Sequence, residues 1–187
     1  MTDEILKSYE VLKKGGIIVY PTDTVWGIGC DATDFKAVNK IYEIKKRNTQ
    51  KNFIVLIDNK EKLTKYVEKI PPFAWDLIDN WNKPLTIVYP GAKNVAKNII
   101  ADDGSIAIRV IRDEFCRQLI NMLDKPLVST SANISGENVP VVFRDIPESI
   151  LLKADYVVNL NREKMIQAKP STIIKFNETG EFYVIRE

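Results

Sequence analysis

Four short stretches of this chain concentrate the side chains that could bind an anion or a nucleotide. They are YPTDTVWGIGC (20–30), KKRNTQK (45–51), IAIRV (106–110) with STSANISG (129–136), and KPST (169–172), and Arg186 is a further candidate. Each stretch lies at the end of a predicted strand or helix, and open α/β sheets place their ligands at such ends. Lysine, arginine, hydroxyl and amide groups together are donors that suit phosphate or carboxylate.

The stretch PLVSTSANISG (126–136) is the richest in small polar side chains. In an extended chain, Ser129, Ser131 and Asn133 point to one face while Thr130 points to the other. A buried hydroxyl or amide without a partner costs about 1 to 3 kcal/mol. Three aligned polar groups therefore indicate either a hydrogen-bonded loop network or a bound polar ligand.

The stretch 20–30 predicts a strand that ends at Pro21, followed by a tight turn. The turn offers two hydroxyls and one carboxylate, from Thr22, Asp23 and Thr24. Gly27 and Gly29 let the backbone come close to a ligand or to a neighbouring strand. Taken alone, this stretch is equally compatible with a structural turn and with part of a binding site.

Lys45 and Arg47 lie two residues apart at the predicted C-terminal end of a helix. On a continuing helix they would diverge by about 200°, so a shared ligand requires the chain to leave helical geometry near Arg47. Asn48 and Thr49 are turn formers that permit this break. Favourable interaction of cations with the helix dipole is a purely local explanation for the same residues.

The composition excludes several classes of chemistry. The 187 residues contain no histidine, which rules out Ser-His-Asp and Cys-His catalysis, histidine-ligated metals and imidazole bases. Cys30 and Cys116 are far apart in the chain, which argues against a zinc site or a disulfide framework. The net charge of +2 is too small for a dedicated nucleic-acid binder, although residues 40–51 hold five Lys or Arg against one Glu.

Length and hydropathy indicate one globular domain spanning residues 1–187. Hydrophobic residues make up 45% of the chain and charged residues 28%, as in an ordinary soluble protein. No run approaches the roughly 18 apolar residues of a membrane span, and the N-terminus lacks the pattern of a signal peptide. A cytoplasmic protein with no membrane contact is therefore expected.

The periodicity of apolar residues predicts a mixed α/β (α+β) fold. Helices are predicted from Thr2 or Asp3 to the glycines at 15 and 16, at 34–46 and 113–123, and in two pieces of 59–80 broken at prolines 71 and 72. Strands are predicted at IIVY, FIVLI, LTIVY, SIAIRV, PLVST, DYVVNL and STIIKF, with a closing hairpin in KFNETGEFYVIRE.

Residues 5 to 186 resemble the threonylcarbamoyl-AMP synthase family, whose domain is also called YrdC-like. YPTDTVWGIGCDA, IKKR, PLTIVYPG, IAIRV, PLVSTSANISG and KPSTII occur in that family's order and spacing. The resemblance implies a twisted sheet of parallel and antiparallel strands, flanked by helices, with a concave ligand groove in a short single-domain form. It also implies a nucleotidyltransferase that makes threonylcarbamoyl-adenylate and pyrophosphate from L-threonine, bicarbonate and ATP for tRNA modification.

The resemblance further implies a set of site residues. The family's K-x-R and S-x-N tetrad maps onto Lys45, Arg47, Ser131 and Asn133, which are expected to be catalytic and to bind ATP together with Val139 and Arg186. Expected threonine contacts are Thr22, Lys51, Arg109, Ser129 and Ser171. We expect Lys45 and Arg47 to neutralise ATP phosphates and Arg109 to pair with the threonine carboxylate.

The resemblance also suggests partners and a cofactor. Magnesium is expected to arrive with ATP, because no cluster of Asp or Glu in the sequence resembles a metal cage. Transient tRNA contact and delivery to a downstream tRNA threonylcarbamoyltransferase complex are expected. The chain departs from the family pattern at Asn48, at Asn82 and Lys83, and at Ile111, which bears on loop shape more than on the tetrad.

Three alternative interpretations remain open from the sequence. The basic stretch 40–51 is compatible with an RNA-binding module, although aromatic residues are sparse there. A carbamoyl-transfer paralogue could use the same domain on other substrates. A purely structural protein is the least favoured, because such proteins seldom place polar clusters at successive strand ends.

Overall fold

The computed structural model describes residues 1–47, 53–164, 170–176 and 181–187. Its strands are β1 (Ile18–Tyr20), β2 (Gly27–Gly29), β3 (Ile54–Ile57), β4 (Leu85–Tyr89), β5 (Ile106–Val110), β6 (Leu127–Ser131), β7 (Tyr156–Val157), β8 (Thr172–Phe176) and β9 (Phe182–Arg186). Its α-helices are α1 (Thr2–Lys13), α2 (Phe35–Lys45), α3 (Leu63–Tyr66), α4 (Pro72–Asn80), α5 (Glu114–Leu123) and α6 (Glu148–Leu151). Short 3-10 turns cover Lys60–Lys62, Lys97–Ile99 and Phe143–Asp145.

The strands form one mixed sheet in the order β7-β1-β2-β6-β3-β5-β4-β8-β9. Three neighbouring pairs are parallel, namely β1 with β7, β3 with β5, and β4 with β8, and the other pairs are antiparallel. The predicted mixed α/β fold is therefore confirmed. None of the helices in the described part of the chain is long and apolar enough to span a bilayer.

Helices cover both faces of this sheet, and each face carries its own core. On one face α1 and α5 pack together over inward side chains that include Ile18, Tyr20, Leu56 and Leu127. On the other face α2 and α4 cover side chains that include Val19, Ile28, Val55 and Val128. Alternate residues of the same strands supply the two cores, because successive side chains of a strand point to opposite faces.

Several predicted elements need correction. The stretch read as a tight turn after the first strand contains β2, and the strand predicted at DYVVNL is only the two-residue β7. The first helical piece predicted within 59–80 consists of a 3-10 turn and the single-turn α3. Met1 precedes α1 without a side-chain cap, so neither Thr2 nor Asp3 is the cap. The turn of the closing hairpin lies outside the described residues.

The helix α2 ends at Lys45, so that Arg47 lies outside the helix, as a shared ligand for the two residues would require. Asp34 caps its N-terminus by accepting hydrogen bonds from the backbone N–H groups of Lys36 and Ala37. At the other end Lys46 adopts a left-handed conformation with φ of 50°, so the chain leaves the helix between Lys45 and Arg47. The break predicted near Arg47 is thus present at Lys46, two residues before Asn48, the first of the turn formers.

Close packing of β2 against β6 explains the glycine at position 29. A Cβ atom placed there would lie 2.1 Å from the carbonyl oxygen of Val128. At Gly27 the nearest atom to such a Cβ belongs to the Tyr20 ring, at 3.3 Å. The sequence left open whether these glycines approach a ligand or a strand, and at Gly29 the close neighbour is the backbone of a strand.

Gly29→Ala is therefore expected to lower the free energy of unfolding by about 3 kcal/mol, because the backbone of β2 or β6 must move. Gly27→Ala is the matched control and should cost less than half as much, since a side-chain ring can shift by a few tenths of an ångström. Urea unfolding of both variants measures the difference. Equal destabilisation by the two changes would contradict the proposed steric cause.

Candidate functional site

A groove with a volume of about 800 Å³, open to solvent, lies on the sheet face that α1 and α5 cover. It brings together side chains from all the polar stretches that the sequence singled out. The lining residues are Thr22, Thr24, Val25, Gly27, Arg47, Phe53, Ile54, Leu56, Arg109, Ser129, Thr130, Ser131, Val139, Pro170, Ser171, Ile173 and Arg186.

Strand register is what aligns the polar groups in this groove. Leu56 lies opposite Arg109 in the pairing of β3 with β5, and Ile54 lies opposite Ser129 in the pairing of β3 with β6. At the far end of the sheet, Arg186 lies opposite Ile173. Because cross-strand partners point to the same face, residues distant in sequence share one surface.

The groove carries three guanidinium groups, from Arg47, Arg109 and Arg186, and no carboxylate among its described lining residues. Burial lowers the pKa of Arg47. The pKa of Arg186 is lowered by burial and by the positive charge of Arg109. A bound anion would favour the charged form of both side chains and so raise both pKa values.

Arg109 is the most deeply buried of these cations, with only 5% of its surface exposed. Its Nη2 donates to Oδ1 of Asp23, and its Nη1 lies 3.4 Å from the Thr24 hydroxyl. The guanidinium group has five N–H donors in a planar fork. These contacts hold Arg109 in place while further donors can reach a ligand.

Thr22 organises the turn that carries Asp23. Its Oγ1 accepts from the backbone N–H groups of Thr24 (3.1 Å) and Val25 (3.2 Å) and donates to the Val25 carbonyl oxygen at 2.7 Å. This arrangement is a side-chain-stabilised turn. The structure thus shows a turn at these residues that also lines the groove.

Lys45 lies behind the groove and is not among its lining residues. The side chain is 1% exposed, and Nζ donates to the carbonyl oxygens of Ser131 (2.6 Å) and Asn133 (2.7 Å) and to Asn133 Oδ1 (3.2 Å). Burial, assisted by the charge of Arg47, lowers the pKa of Lys45 to about 7. The lysine thus fixes the backbone that presents Ser131.

The Ser131 hydroxyl donates to Asn133 Oδ1 at 2.5 Å, and Asn133 Nδ2 donates to the Glu137 carbonyl oxygen at 2.7 Å. Of the residues expected on one face, Ser129 and Ser131 line the groove, and Asn133 is 5% exposed beyond the end of β6. The polar stretch therefore builds a hydrogen-bonded loop network whose outer surface faces the groove. The loop-network interpretation of the sequence is therefore confirmed, and a ligand bound to this stretch stays a prediction.

Ser171 and Arg186 close the far side of the groove. The Ser171 hydroxyl shares a 2.7 Å hydrogen bond with Thr86, and Arg186 donates to the Ser171 carbonyl oxygen from Nε (3.1 Å) and Nη2 (2.8 Å). Val139 supplies an apolar lining side chain. Lys51, the remaining candidate for threonine binding, lies outside the described residues.

Residues 10–187 match the model of the Sua5/YciO/YrdC family, which carries the description "Telomere recombination". The chain belongs to this family. It is 35% identical over 164 residues to the threonylcarbamoyl-AMP synthase of Pseudoalteromonas translucida, covering 85% of this chain and 88% of that protein. A putative threonylcarbamoyl-AMP synthase of Methanocaldococcus jannaschii is 36% identical over 190 residues, which cover 99% of this chain and 87% of that protein.

Solved structures of Sua5/YciO/YrdC proteins share the fold. P. abyssi Sua5 in complex with L-threonine matches with a TM-score of 0.89 and 28% identity, covering 97% of this chain and 53% of that one. E. coli YciO matches with a TM-score of 0.85 and 26% identity, and the match covers 100% of this chain and 90% of the YciO chain. The present chain thus spans about half the length of the P. abyssi Sua5 chain that it matches.

Phe53 and Thr24, which line the groove of this Sua5/YciO/YrdC chain, and the adjoining Asp23 had no role assigned from the sequence. Phe53 was read only as part of a strand, yet it lines the groove and its ring centroid lies 5.2 Å from the Arg47 guanidinium carbon. Asp23 and Thr24 were quoted in a motif without a function. A charged residue beside a strand end was the available signal for Asp23, but its pairing with Arg109 spans 86 positions of sequence.

A second cavity, of about 600 Å³, adjoins the groove. Its lining residues are Asp23, Ile78, Asn82, Lys83, Pro84, Leu85, Ile87, Tyr89, Ile108, Arg109, Val110 and Arg112. Arg109 lines both spaces, so the ion pair with Asp23 stands at the boundary between them.

Proposed function

We propose that this chain is a threonylcarbamoyl-AMP synthase, an enzyme that forms threonylcarbamoyl-adenylate and pyrophosphate from L-threonine, bicarbonate and ATP. The observation that carries the proposal is the groove itself, whose described lining has three arginines, several hydroxyls and no carboxylate. Such a groove can hold two anionic reactants side by side. The alignments with the threonylcarbamoyl-AMP synthase of P. translucida and the putative one of M. jannaschii cover 88% and 87% of those proteins.

The proposed reaction develops negative charge on oxygen throughout. Threonine's amine and bicarbonate yield a carbamate and water, and one carbamate oxygen then attacks the α-phosphorus of ATP while pyrophosphate leaves with the bond electrons. Preorganised donors in a shielded site stabilise such charge and hold the reactants in line. No covalent nucleophile is required, which agrees with a chain that has no histidine.

The geometry suggests a role for each cation. Arg47 and Arg186 line the groove and would bind the phosphates of ATP, while Arg109 would bind the carboxylate of threonine next to Thr22 and Ser129. Lys45 would act as a positioning residue, because its ammonium group holds the backbone of Ser131 from behind. This role differs from the direct phosphate contact expected from the sequence.

Magnesium is proposed to enter with ATP as part of the substrate. The described residues contain no cluster of three or more His, Cys, Asp or Glu side chains that could hold a metal ion, and the described groove lining has no carboxylate. Magnesium prefers carboxylates, phosphates and water as ligands. The triphosphate is therefore the proposed source of its non-water ligands.

The broader biological role is also a proposal. A cytoplasmic enzyme would pass its adenylate to a tRNA threonylcarbamoyltransferase complex, with transient tRNA contact as one route. The alternatives of an RNA-binding module and a carbamoyl-transfer paralogue are not favoured, because the curated relatives are named threonylcarbamoyl-AMP synthases and the basic residue Arg47 lies in the groove.

The test is incubation of the protein with ATP, Mg²⁺, bicarbonate and each of a panel of amino acids. We expect pyrophosphate release that depends on L-threonine and on bicarbonate, with a product of the mass of threonylcarbamoyl-adenylate. Release that is independent of the amino acid would contradict the proposal. Salt-sensitive tRNA binding without any pyrophosphate release would favour the RNA-binding alternative.

A further inference from the structure

Asp23 is the one carboxylate among the described side chains that line the groove or the second cavity. It sits in the turn pinned by the Thr22 hydroxyl, between β1 and β2. Its side chain is 27% exposed, against 6% for its partner Arg109. A fixed, accessible negative charge therefore stands beside the most buried arginine of the groove.

Asp23 and Arg109 both keep hydrogen-bonding positions that their ion pair does not use. An ionised carboxylate has about four acceptor positions, and a guanidinium group has five donors. The pair itself uses Asp23 Oδ1 and Arg109 Nη2, and Arg109 Nη1 also reaches the Thr24 hydroxyl. Both residues can thus contact a further polar molecule without separating.

An α-amino acid is the molecule whose charges match this pair. Its carboxylate and ammonium groups are attached to the same carbon, so both can lie against an adjacent guanidinium and carboxylate in the opposite order. A ligand with a carboxylate but no ammonium would bring its negative charge close to Asp23 with nothing to compensate it. Like charges at such a distance are unfavourable, and opposite charges with hydrogen bonds are favourable.

We propose that Asp23 is a specificity residue that accepts hydrogen bonds from the α-ammonium group of the amino acid whose carboxylate Arg109 binds. The proposal rests on the proposed function, because it concerns the amino acid substrate of that reaction. It assigns selection for α-amino acids over hydroxy acids to the charge on one residue. It also orients the reacting nitrogen towards the boundary between the groove and the second cavity.

The test compares L-threonine with 2,3-dihydroxybutanoate, in which a hydroxyl replaces the α-ammonium group. Calorimetry without ATP gives both dissociation constants for the wild-type protein, Asp23→Asn and Asp23→Glu. The wild type should prefer L-threonine by at least about 100-fold. Asp23→Asn should weaken L-threonine binding strongly and leave the analogue unchanged or bound more tightly, so that the preference falls at least tenfold. Asp23→Glu should retain a preference.

The selectivity ratio separates recognition from structural support. If Asp23 only holds Arg109 in position, Asp23→Asn weakens both ligands by the same factor, and that result overturns the proposal. Equal wild-type affinity for the two ligands also overturns it, even if neither variant folds. Thermal unfolding and far-UV circular dichroism identify a variant that is misfolded.

Pyrophosphate release by the wild-type protein tests the proposed function independently of the Asp23 variants. Threonine-dependent release combined with equal loss of both ligands overturns the role of Asp23 and leaves the synthase proposal standing. Release with a different amino acid corrects the substrate, and the same comparison is then made with that amino acid and its hydroxy acid. Absence of binding and release with every amino acid tested overturns both proposals.

Discussion

Replacing Arg109 by alanine is expected to lower kcat/KM for L-threonine by about 100- to 1,000-fold. Removing one partner of a buried, hydrogen-bonded charge pair costs about 2 to 5 kcal/mol, and each 1.36 kcal/mol changes a rate tenfold. Arg109 is 5% exposed, so water cannot readily replace its donors. The variant also leaves Asp23 without its buried partner, which adds to the loss.

Arg109→Lys separates charge from geometry at the same position. Lysine keeps the positive charge but not the planar fork that can contact Asp23 and a second carboxylate together. We expect an intermediate loss, mainly as a raised KM for L-threonine with the KM for ATP changed much less. Arg117→Ala, on the exposed side of α5, is the matched control and should retain full activity. A fall in ATP affinity as large as that in threonine affinity would argue against this assignment.

Replacing Lys45 by methionine is expected to lower kcat/KM for ATP by about 100-fold, although the side chain does not line the groove. The change removes three hydrogen bonds that fix the carbonyl oxygens of Ser131 and Asn133 and the Asn133 side chain. A buried acceptor that loses a charged donor costs about 1.5 to 3 kcal/mol. Methionine preserves the unbranched shape, so packing changes little. The control is Lys7→Met on the exposed side of α1.

The burial of Lys45 also predicts a pH dependence of the free energy of unfolding, which Lys45→Met should remove. A lysine whose only role was to contact ATP would give no such dependence. The folded-state pKa of Lys45 is lowered to about 7 from 10.5, so between these values the unfolded chain binds one more proton than the folded chain. The Lys45 contribution therefore makes the wild type more stable as pH rises from 7, by at most about 1.4 kcal/mol per pH unit. Below pH 7 both states are protonated and this slope vanishes.

Urea unfolding of wild type and Lys45→Met between pH 6 and 10 measures that slope. Subtracting the two curves removes the titration of all other groups, and the difference should rise only above pH 7. Equal slopes over the whole range would show that Lys45 keeps its ordinary pKa in the folded protein.

The sequence predicted most elements because their signals are local. Apolar periodicity located α2 and α5, and short β-rich runs located β3, β4 and β5. The strand β2 was missed because two glycines in three residues are typical of a turn. Only the neighbouring strands show why they are there, since the backbone of Val128 would collide with a side chain at Gly29.

In the candidate site, too, features with a local signal were predicted from the sequence, and contacts between distant residues were not. Polar clusters at strand ends, together with the resemblance of six motifs, were enough to name the family and several groove residues, such as Arg47, Arg109 and Ser129, but not Phe53 or Thr24. The direction of the Lys45 side chain was not predictable, because a lysine at a helix end can point to solvent, to a ligand or to a carbonyl oxygen. Nor was the partner of Asp23, since an acid in a turn has many possible local partners.

By itself, then, the sequence determined which residue types stand at the ends of the strands, and hence that anions are the fitting ligands. The tertiary structure alone decided which of those residues face one another, because strand register and the break after Lys45 set distances between positions far apart in the chain. Charges interact through space and not along the sequence. The pairing of Arg109 with Asp23 and the burial of Lys45 are therefore properties of the folded chain.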